Sequence, residues 1–321
     1  MPEPLVSVLI NNYNYGRFLG QAIDSALAQT YPKLEIIVVD DGSTDNSREV
    51  IARYGARVTP VLKENGGQVS AVVAGVTASH GEIVCMLDSD DYWYGDKVEQ
   101  IVAAIAARPD SVLAYHRLQP IDRKGQAAGT ATPVTIIEGD ISDRVARSGG
   151  YWMYPPMSAL AFKRHYLEYA LDGIVKYVNR IRADGSAPEE NLRLCADAYL
   201  ADFGPFCGPV AGIGSVLGVY RLHGANNWNH SRRQNNDVEC LRIHARFYQA
   251  RLGALSELLR GAGNGVTVSI EEHWPYKRLN YLLDGCGLLK RLCVSWRPLS
   301  TPYQPSIVRR LRATLRWCVR G

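Results

Sequence analysis

The segment 81–91, GEIVCMLDSDD, constrains the fold more than any other part of the chain. Its centre, Ile83 to Leu87, is a short apolar run typical of a strand that is buried on both faces. Three carboxylates follow within four residues, at positions 88, 90 and 91. Carboxylates crowded at the end of a buried strand repel one another unless a cation lies between them. The pattern therefore predicts a strand that ends at a cation or ligand site of an α/β sheet.

Part of this acidic cluster has a purely structural alternative. Asp96 followed by Glu99 is a capping-box pattern at the start of a helix, so Asp91 and Asp96 could serve only that helix. Asp88 and Asp90 lie too early in the chain for this role. They are therefore the candidate carboxylates for binding a metal or a ligand.

Apolar runs and helical patterns alternate through the first part of the chain. Strands are predicted at 5–10, 34–39, 58–62, 83–87 and 112–115. The helices between them imply βαβ units with right-handed crossovers and a mostly parallel, Rossmann-like sheet flanked by helices. Polar clusters at 11–12, 40–41 and 88–90 end three of the strands. Because the strands are parallel, these clusters should meet at one edge, as in nucleotide sites.

Composition and missing motifs exclude several classes of protein. Neither G-x-G-x-x-G after the first strand nor G-x-x-x-x-G-K-[ST] occurs, which argues against NAD enzymes and P-loop NTPases. The seven cysteines form no C-x-x-C pair, which argues against a zinc site or a disulfide framework and favours the reducing cytosol. No signal-peptide pattern and no apolar run of about 18 residues is present. We therefore expect a cytoplasmic protein without a spanning helix.

Several motifs, taken in order, resemble those of family 2 glycosyltransferases. The similar segments are VSVLINNYN (6–14), QTYP (29–32), EIIVVDDGSTD (35–45), NGG (65–67), LDSDDYW (87–93) and DK (96–97). The resemblance is dense over about residues 5–100 and returns weakly at 197 and 220–224. It implies the GT-A fold and inverting transfer of a sugar from a nucleotide donor, usually a UDP-sugar. The acceptor would be a hydroxyl of a glycan or lipid-linked glycan in cell-surface polysaccharide synthesis.

The resemblance also implies roles for individual residues. Tyr13 would stack on the base of the donor, and Asp41 would form a hydrogen bond with it. Asp88 would lie near the ribose and the metal, and Asp90 would ligate the metal, Mg²⁺ or Mn²⁺, whose preferred ligands are carboxylate and phosphate oxygens. The donor-binding set also includes Asn11, Ser89 and, near the diphosphate, His223.

A carboxylate is also needed to accept the proton of the attacking hydroxyl. Asp197 resembles the family's residue at this position, but Ala196 stands where an acidic residue usually precedes it. Glu189 and Glu190 therefore remain alternatives for the base. The chain also has Val72-Val73 where many members have Arg-Asn. It lacks the Q-x-x-R-W motif of processive synthases, so addition of a single sugar is expected.

The resemblance and the change of pattern divide the chain into three parts. These are a nucleotide-sugar-binding half (1–117), an acceptor-binding half (118–230) and a helical C-terminal extension (231–321). Tyr151, Trp152 and Tyr154 lie on a segment rich in Gly and Pro, where they could stack on an acceptor sugar or belong to the core.

The last residues, 307–320, have a basic amphipathic pattern. On a helical projection, arginines face one side and apolar residues the other, with Trp317 at a border. This pattern is typical of a helix on an anionic membrane and would place the protein peripherally on the inner face of the cytoplasmic membrane. The alternative is a helix packed on the protein itself.

Two other functions compete with sugar transfer. A nucleotidyltransferase would normally carry a glycine-rich phosphate loop with Arg or Lys near the first strand, which 11–16 does not resemble. A non-catalytic member that binds sugars or partner proteins would not need the intact Asp41, Asp88 and Asp90. No nucleic-acid partner is expected.

Overall fold

The computed structural model describes residues 3–150, 152, 154–183, 185, 196–223, 238–263, 265–269, 271–273 and 276. The chain divides into two compact units. The first contains residues 1–141 and 154–223, and the second contains residues 142–153 and 224–321. The three-part division drawn from the sequence stays a prediction.

A mixed sheet of eight strands forms the centre of the first unit. The strands are β1 (Val6–Asn12), β2 (Leu34–Asp41), β3 (Thr59–Lys63), β4 (Ile83–Asp88), β5 (Tyr92–Trp93), β6 (Leu113–Ile121), β7 (Leu160–Lys163) and β8 (Val210–Arg221). Their order across the sheet is β3-β2-β1-β4-β7-β6-β8-β5. The first four strands are parallel, as are β6 and β8, whereas β7 is antiparallel to both of its neighbours and β5 is antiparallel to β8.

The helices of the first unit follow the predicted alternation. They are α1 (Gly16–Leu27), α2 (Ser47–Ala52), α3 (Gln68–Ala78), α4 (Lys97–Ala107), α6 (Arg164–Ala183) and α7 (Ala196–Cys207), with α5 (Ser142–Arg147) in the second unit. The predicted βαβ units are therefore confirmed from β1 to β4, and with them the α/β fold class. The strand predicted at 112–115 belongs to β6, but β7 lies between it and β4.

Helices on both faces explain why the first strands are apolar throughout. Val8 and Ile10 of β1 pack in one cluster with Leu19 and Ile23 of α1. On the other face α3 approaches so closely that a Cβ on Gly75 would lie 2.2 Å from a methyl carbon of Leu9. The small residues of α3 thus permit close packing on the sheet.

The beginning of α4 corrects one expectation. Asp96 does precede the helix, but its side chain makes no capping hydrogen bond. Instead its Oδ2 accepts a hydrogen bond from Nε2 of Gln100, 2.8 Å away, and Glu99 accepts one from the Thr30 hydroxyl at 3.0 Å. The predicted reciprocal capping box is therefore absent because both carboxylates have other partners.

The second unit contains α5 and a long helix, α8 (Val238–Gly261), close to the 237–262 predicted from its amphipathic pattern. A glycine is required at position 149, where φ is +68° and a Cβ would lie 2.5 Å from backbone atoms of Ser269 and His273. The tail at 307–320 lies outside the described residues. Among the helices that the structure describes, none is long and apolar enough to cross a membrane.

Candidate active site

The polar ends of β1, β2 and β4 meet at one edge of the sheet, as predicted. The strand register places Asn11 beside Asp88 and Asn12 beside Asp40. Asn12 donates a hydrogen bond to Asp40, 3.0 Å away, and the Arg48 guanidinium pairs with the same carboxylate at 2.9 Å. Burial tends to raise the pKa of Asp40, but hydrogen bonds from Ser43, Arg48 and Asn12 hold it below its usual value. Asp40 is therefore an ionised anchor of this edge.

Asp41 anchors a second loop with its carboxylate. Its two oxygens accept hydrogen bonds from the backbone N–H groups of Gly66 at 3.0 Å and Gly67 at 2.8 Å. Lys63 donates a third at 2.5 Å. An ionised carboxylate has about four acceptor positions, so these three donors leave room for one more. The geometry is compatible with the hydrogen bond to a base that the resemblance implies.

The loop after β1 presents an aromatic ring to solvent. Tyr13 is 47% exposed, and its neighbour Asn14 has φ of 60°. Asn14 is fixed from both sides, because its backbone N–H donates to the Ser43 hydroxyl at 2.9 Å and its side-chain oxygen accepts from the N–H of Thr44 at 2.7 Å. An exposed ring on a well-held loop is what stacking on a base requires.

Four carboxylates gather beyond the end of β4. Burial, and then the charges of Asp90 and Asp197, raise the pKa of Asp88 well above its usual value. Burial, and then Asp90 and Asp88, raise the pKa of Asp91 in the same way. Asp197 is half-buried in the first turn of α7. Asp197 therefore lies near enough to Asp88 for its charge to act on that carboxyl group.

The carboxylates of this cluster also raise the pKa of two tyrosines, Tyr15 and Tyr220. Burial, and then Asp90 and Asp88, raise the pKa of Tyr15 to about 12. Burial and all four carboxylates of the cluster raise the pKa of Tyr220. The sequence predicted no role for either tyrosine, although Tyr15 follows the 6–14 motif directly and Tyr220 belongs to the 220–224 segment.

His223 pairs with Asp90. Its Nε2 lies 2.8 Å from Oδ2 of that aspartate, and both residues are buried. The imidazole ring packs against Tyr15 and Phe18, with ring centroids 5.5 and 5.0 Å away. The structure thus places His223 in the acidic site, where it orients one of the predicted metal ligands.

Two residues that sequence reasoning missed hold the loop of Asp88 to Asp91. The Ser158 hydroxyl donates to Asp91 at 2.6 Å and accepts from the N–H of Asp88 at 3.1 Å. The N–H of Arg221 donates to Asp91 at 2.9 Å, and its Nε donates to the carbonyl of Asp90 at 2.8 Å. Asp91 is therefore structural, as the alternative reading allowed, but its partners are distant residues and not the following helix.

The charge of the site suits a divalent cation. Within the described residues, no group of three or more His, Cys, Asp and Glu side chains could hold a metal unaided. Beyond burial, the charges of neighbouring carboxylates raise the pKa of Asp88 and of Asp91, and a cation at the site would offset this repulsion. Oδ1 of the buried Asn11 has no hydrogen-bond partner in the described part of the chain. These oxygen donors fit Mg²⁺ or Mn²⁺, provided that a ligand such as a diphosphate completes the coordination.

The predicted acceptor aromatics differ in their exposure where the structure describes them. Trp152 is only 1% exposed, so its ring has no free face for a sugar, and this expectation is corrected. Tyr154 is half-buried. Tyr151 lies outside the described residues, as do Glu189 and Glu190, the alternatives for the base. Trp152 is therefore a core residue, which is the alternative that the sequence also allowed.

Known proteins share both the sequence pattern and the fold. Residues 7–155 match the profile described as Glycosyl transferase family 2. An uncharacterized glycosyltransferase of Nostoc sp. is 32% identical over 283 residues, which cover 86% of this chain and 82% of that protein. One of Rickettsia prowazekii is 37% identical over 132 residues, covering 41% of this chain and 42% of that protein.

Among solved structures, S. aureus TarS 1–349 in complex with UDP-GlcNAc superposes with a TM-score of 0.53 at 16% identity. The match covers 89% of this chain and 83% of that one, and it supports the fold predicted from the sequence. The similarity to the Nostoc protein extends over most of both chains. This chain therefore belongs to glycosyl transferase family 2 and is a glycosyltransferase.

Proposed function

We propose that the enzyme transfers one sugar from a UDP-sugar to a hydroxyl of a glycan or lipid-linked glycan, with inversion at the anomeric carbon. The observation that carries this proposal is the meeting of Asn11, Asp40 and Asp88 at one edge of the sheet, where the charge of Asp197 also acts on Asp88. This effect of Asp197 links a candidate general base on α7 to carboxylates at the nucleotide edge of the sheet. The relation to TarS, which was crystallised with UDP-GlcNAc, supports a UDP-sugar as the donor.

The donor would bind along the edge formed by β1, β2 and β4. The exposed ring of Tyr13 would stack on the uracil, and the remaining acceptor position of Asp41 would receive an N–H of the base. Asn11 and Ser89 would contact the ribose and the diphosphate. This arrangement uses residues that the folded chain already holds in place, so little ordering would be needed on binding.

Asp88 and Asp90 would hold a divalent cation together with the diphosphate of the donor. When bound, Mg²⁺ or Mn²⁺ supplies the positive charge that stabilises a diphosphate leaving group. His223 keeps the Asp90 carboxylate in position through their 2.8 Å contact. Ser158 and Arg221 keep the rest of the loop in place, so the ligands are oriented before the donor arrives.

Transfer itself would need one proton acceptor. The acceptor oxygen attacks the anomeric carbon, the bond from that carbon to the diphosphate oxygen breaks, and UDP leaves. Asp197 takes the proton that the hydroxyl loses. Attack from the side opposite to UDP inverts the configuration of the sugar.

The test is a screen of UDP-, GDP- and dTDP-sugars for release of the nucleoside diphosphate, with Mn²⁺ and with EDTA. We expect release from a UDP-sugar that EDTA abolishes. NMR of the product in the presence of an acceptor glycan would then show the opposite anomeric configuration to that of the donor. Equal release in EDTA would contradict the role of the cation, and a preference for GDP- or dTDP-sugars would contradict the assignment of the donor.

The basic amphipathic segment 307–320 belongs to the same proposal. A helix of this kind would bring the enzyme to anionic lipid on the inner face of the cytoplasmic membrane, where lipid-linked acceptors are found. The role in cell-surface polysaccharide synthesis depends on such an acceptor.

A further inference from the structure

Gln68 connects two parts of the site that are 128 residues apart in sequence. Its side-chain oxygen accepts a hydrogen bond from the backbone N–H of Ala196, with a distance of 2.9 Å. Ala196 is the first residue of α7, and the next residue is Asp197. Gln68 is itself the first residue of α3, directly after the turn that Asp41 holds.

The hydrogen bond to Ala196 satisfies a group that the helix cannot satisfy internally. The first N–H groups of an α-helix have no partner within it, and Ala196 is fully buried. A buried N–H without a hydrogen-bond partner destabilises the folded state, because it has lost its hydrogen bond to water. The Gln68 side chain therefore fixes where α7 begins, and with it the backbone position of Asp197.

The amide nitrogen of the Gln68 side chain is held as well. Its Nε2 donates to the sulfur of Met157 at 3.7 Å, and the Asn11 side chain donates to the same sulfur at 3.4 Å. Just before Gln68 in the chain, the N–H groups of Gly66 and Gly67 donate hydrogen bonds to Asp41. A continuous set of contacts thus leads from Asp41, the carboxylate predicted to bind the nucleobase, through Gln68 to the helix that carries Asp197.

We propose that Gln68 is a positioning residue that holds Asp197 against the donor edge and couples occupation of the Asp41 site to the start of α7. This inference rests on the proposed function, because it takes Asp197 as the general base. A base displaced by about 1 Å can lower a rate by about 100-fold. Gln68 would act without touching the substrate.

The first test needs no turnover and uses UDP with Mn²⁺ as the probe. Hydrogen exchange at the Ala196 amide is measured with and without UDP in the wild type, Gln68→Leu and Gln68→Glu. Leucine has a similar size but no acceptor, whereas glutamate keeps an oxygen for the Ala196 N–H. We expect UDP to slow exchange in the wild type and in Gln68→Glu, and exchange in Gln68→Leu to be faster and independent of UDP.

The matched control for this test is Gln100→Leu. Gln100 is a half-buried glutamine on α4 whose amide donates to Asp96. This variant should keep the wild-type exchange at Ala196. If Gln68→Leu shows the same slow, UDP-responsive exchange as the wild type while still binding UDP, the inference is overturned. Absence of any UDP binding by the wild type would overturn the proposed donor and this inference together.

The second test is a double-mutant cycle with Asp197→Asn, measured as sugar transfer from the donor that the screen selects. Gln68→Leu should lower kcat by about 10- to 100-fold and should weaken UDP affinity by no more than the factor by which UDP slows exchange at Ala196 in the wild type. In the Asp197→Asn background the same substitution should have little further effect, because its target is already lost.

The pattern of results separates this inference from the proposed function. If Asp197→Asn lowers kcat but Gln68→Leu causes the same additional loss in both backgrounds, Gln68 does not act through Asp197 and only this inference fails. If Asp197→Asn leaves kcat unchanged, the proposed base is wrong and the inference fails with it.

Discussion

Replacing Ser158 by alanine removes the hydroxyl that the loop of Asp88 to Asp91 depends on. Ser158 and Asp91 are both buried, with 0% and 1% exposure, so bulk water does not reach the groups that lose their partner. The substitution leaves the Asp91 carboxylate without its 2.6 Å donor and the N–H of Asp88 without its 3.1 Å acceptor. We expect a loss of stability and a new dependence of that loss on pH.

The size of the loss follows from the two hydrogen bonds. A hydrogen bond to a charged group contributes about 1.5–3 kcal/mol and a neutral one about 1 kcal/mol. The expected decrease in the free energy of unfolding is therefore about 2.5–4 kcal/mol when Asp91 is ionised. When Asp91 is protonated, both hydrogen bonds of Ser158 join neutral groups and contribute less. Removing Ser158 should therefore lower the free energy of unfolding by a smaller amount at low pH.

The direction of the pH effect follows from the pKa of Asp91. Burial and neighbouring carboxylates raise this pKa well above its unfolded value. The folded state therefore binds more protons than the unfolded state, and stability falls as pH rises from about 4 towards the folded pKa. The Ser158 hydroxyl opposes this rise in pKa. Its removal raises the pKa further, so the loss of stability should be larger at pH 9 than at pH 5.

The assay is urea unfolding of the full chain at pH 5 and pH 9, without a metal or nucleotide. Ser111→Ala is the matched control, because Ser111 is also fully buried but its hydroxyl donates to the backbone carbonyl of Arg108 at 2.8 Å. This control should lose about 1 kcal/mol at both values of pH. An equal loss for Ser158→Ala at the two values, or a loss no larger than that of the control, would refute the reasoning.

Three other predictions concern activity and location. Asp197→Asn should lower the transfer rate by roughly 10²–10⁴-fold, because it removes the proposed general base, while UDP affinity is retained. Lost UDP affinity with an unchanged rate constant would instead make Glu189 or Glu190 the candidate general base. Asp90→Ala should abolish cation-dependent turnover, because it removes a proposed metal ligand, and should leave the circular dichroism spectrum unchanged; retained activity would exclude that role. The full chain should sediment with anionic vesicles at low salt and a truncation after Pro305 should not; equal behaviour of the two would make the tail structural.

The edge of the sheet could be predicted because it depends on local patterns. Apolar runs located β1, β2 and β4, and parallel pairing then forced their polar ends together. The convergence of Asn11 with Asp88 follows from strand register alone. Asp197 could be predicted only through the resemblance, since an aspartate on an amphipathic helix carries no signal of its own.

The supports of the site could not be predicted because they join distant parts of the chain. Ser158 lies in a single 3₁₀ turn, at 157–159, and reaches an aspartate 67 residues earlier. No periodicity or motif marks such a contact. The antiparallel β7 was missed as a partner of β4 for the same reason, and burial of Trp152 depends on tertiary packing that composition does not reveal.

Ser158 and Arg221 have a further consequence through their places in the chain. Both hold the loop of Asp88 to Asp91, and they enclose 62 intervening residues, 159–220. Helices α6 and α7 lie within this interval. Sequence changes in this interval that spare β7, β8 and the start of α7 can therefore leave the acidic loop in place. Under the proposed function, such changes could alter the choice of acceptor without altering the acidic loop.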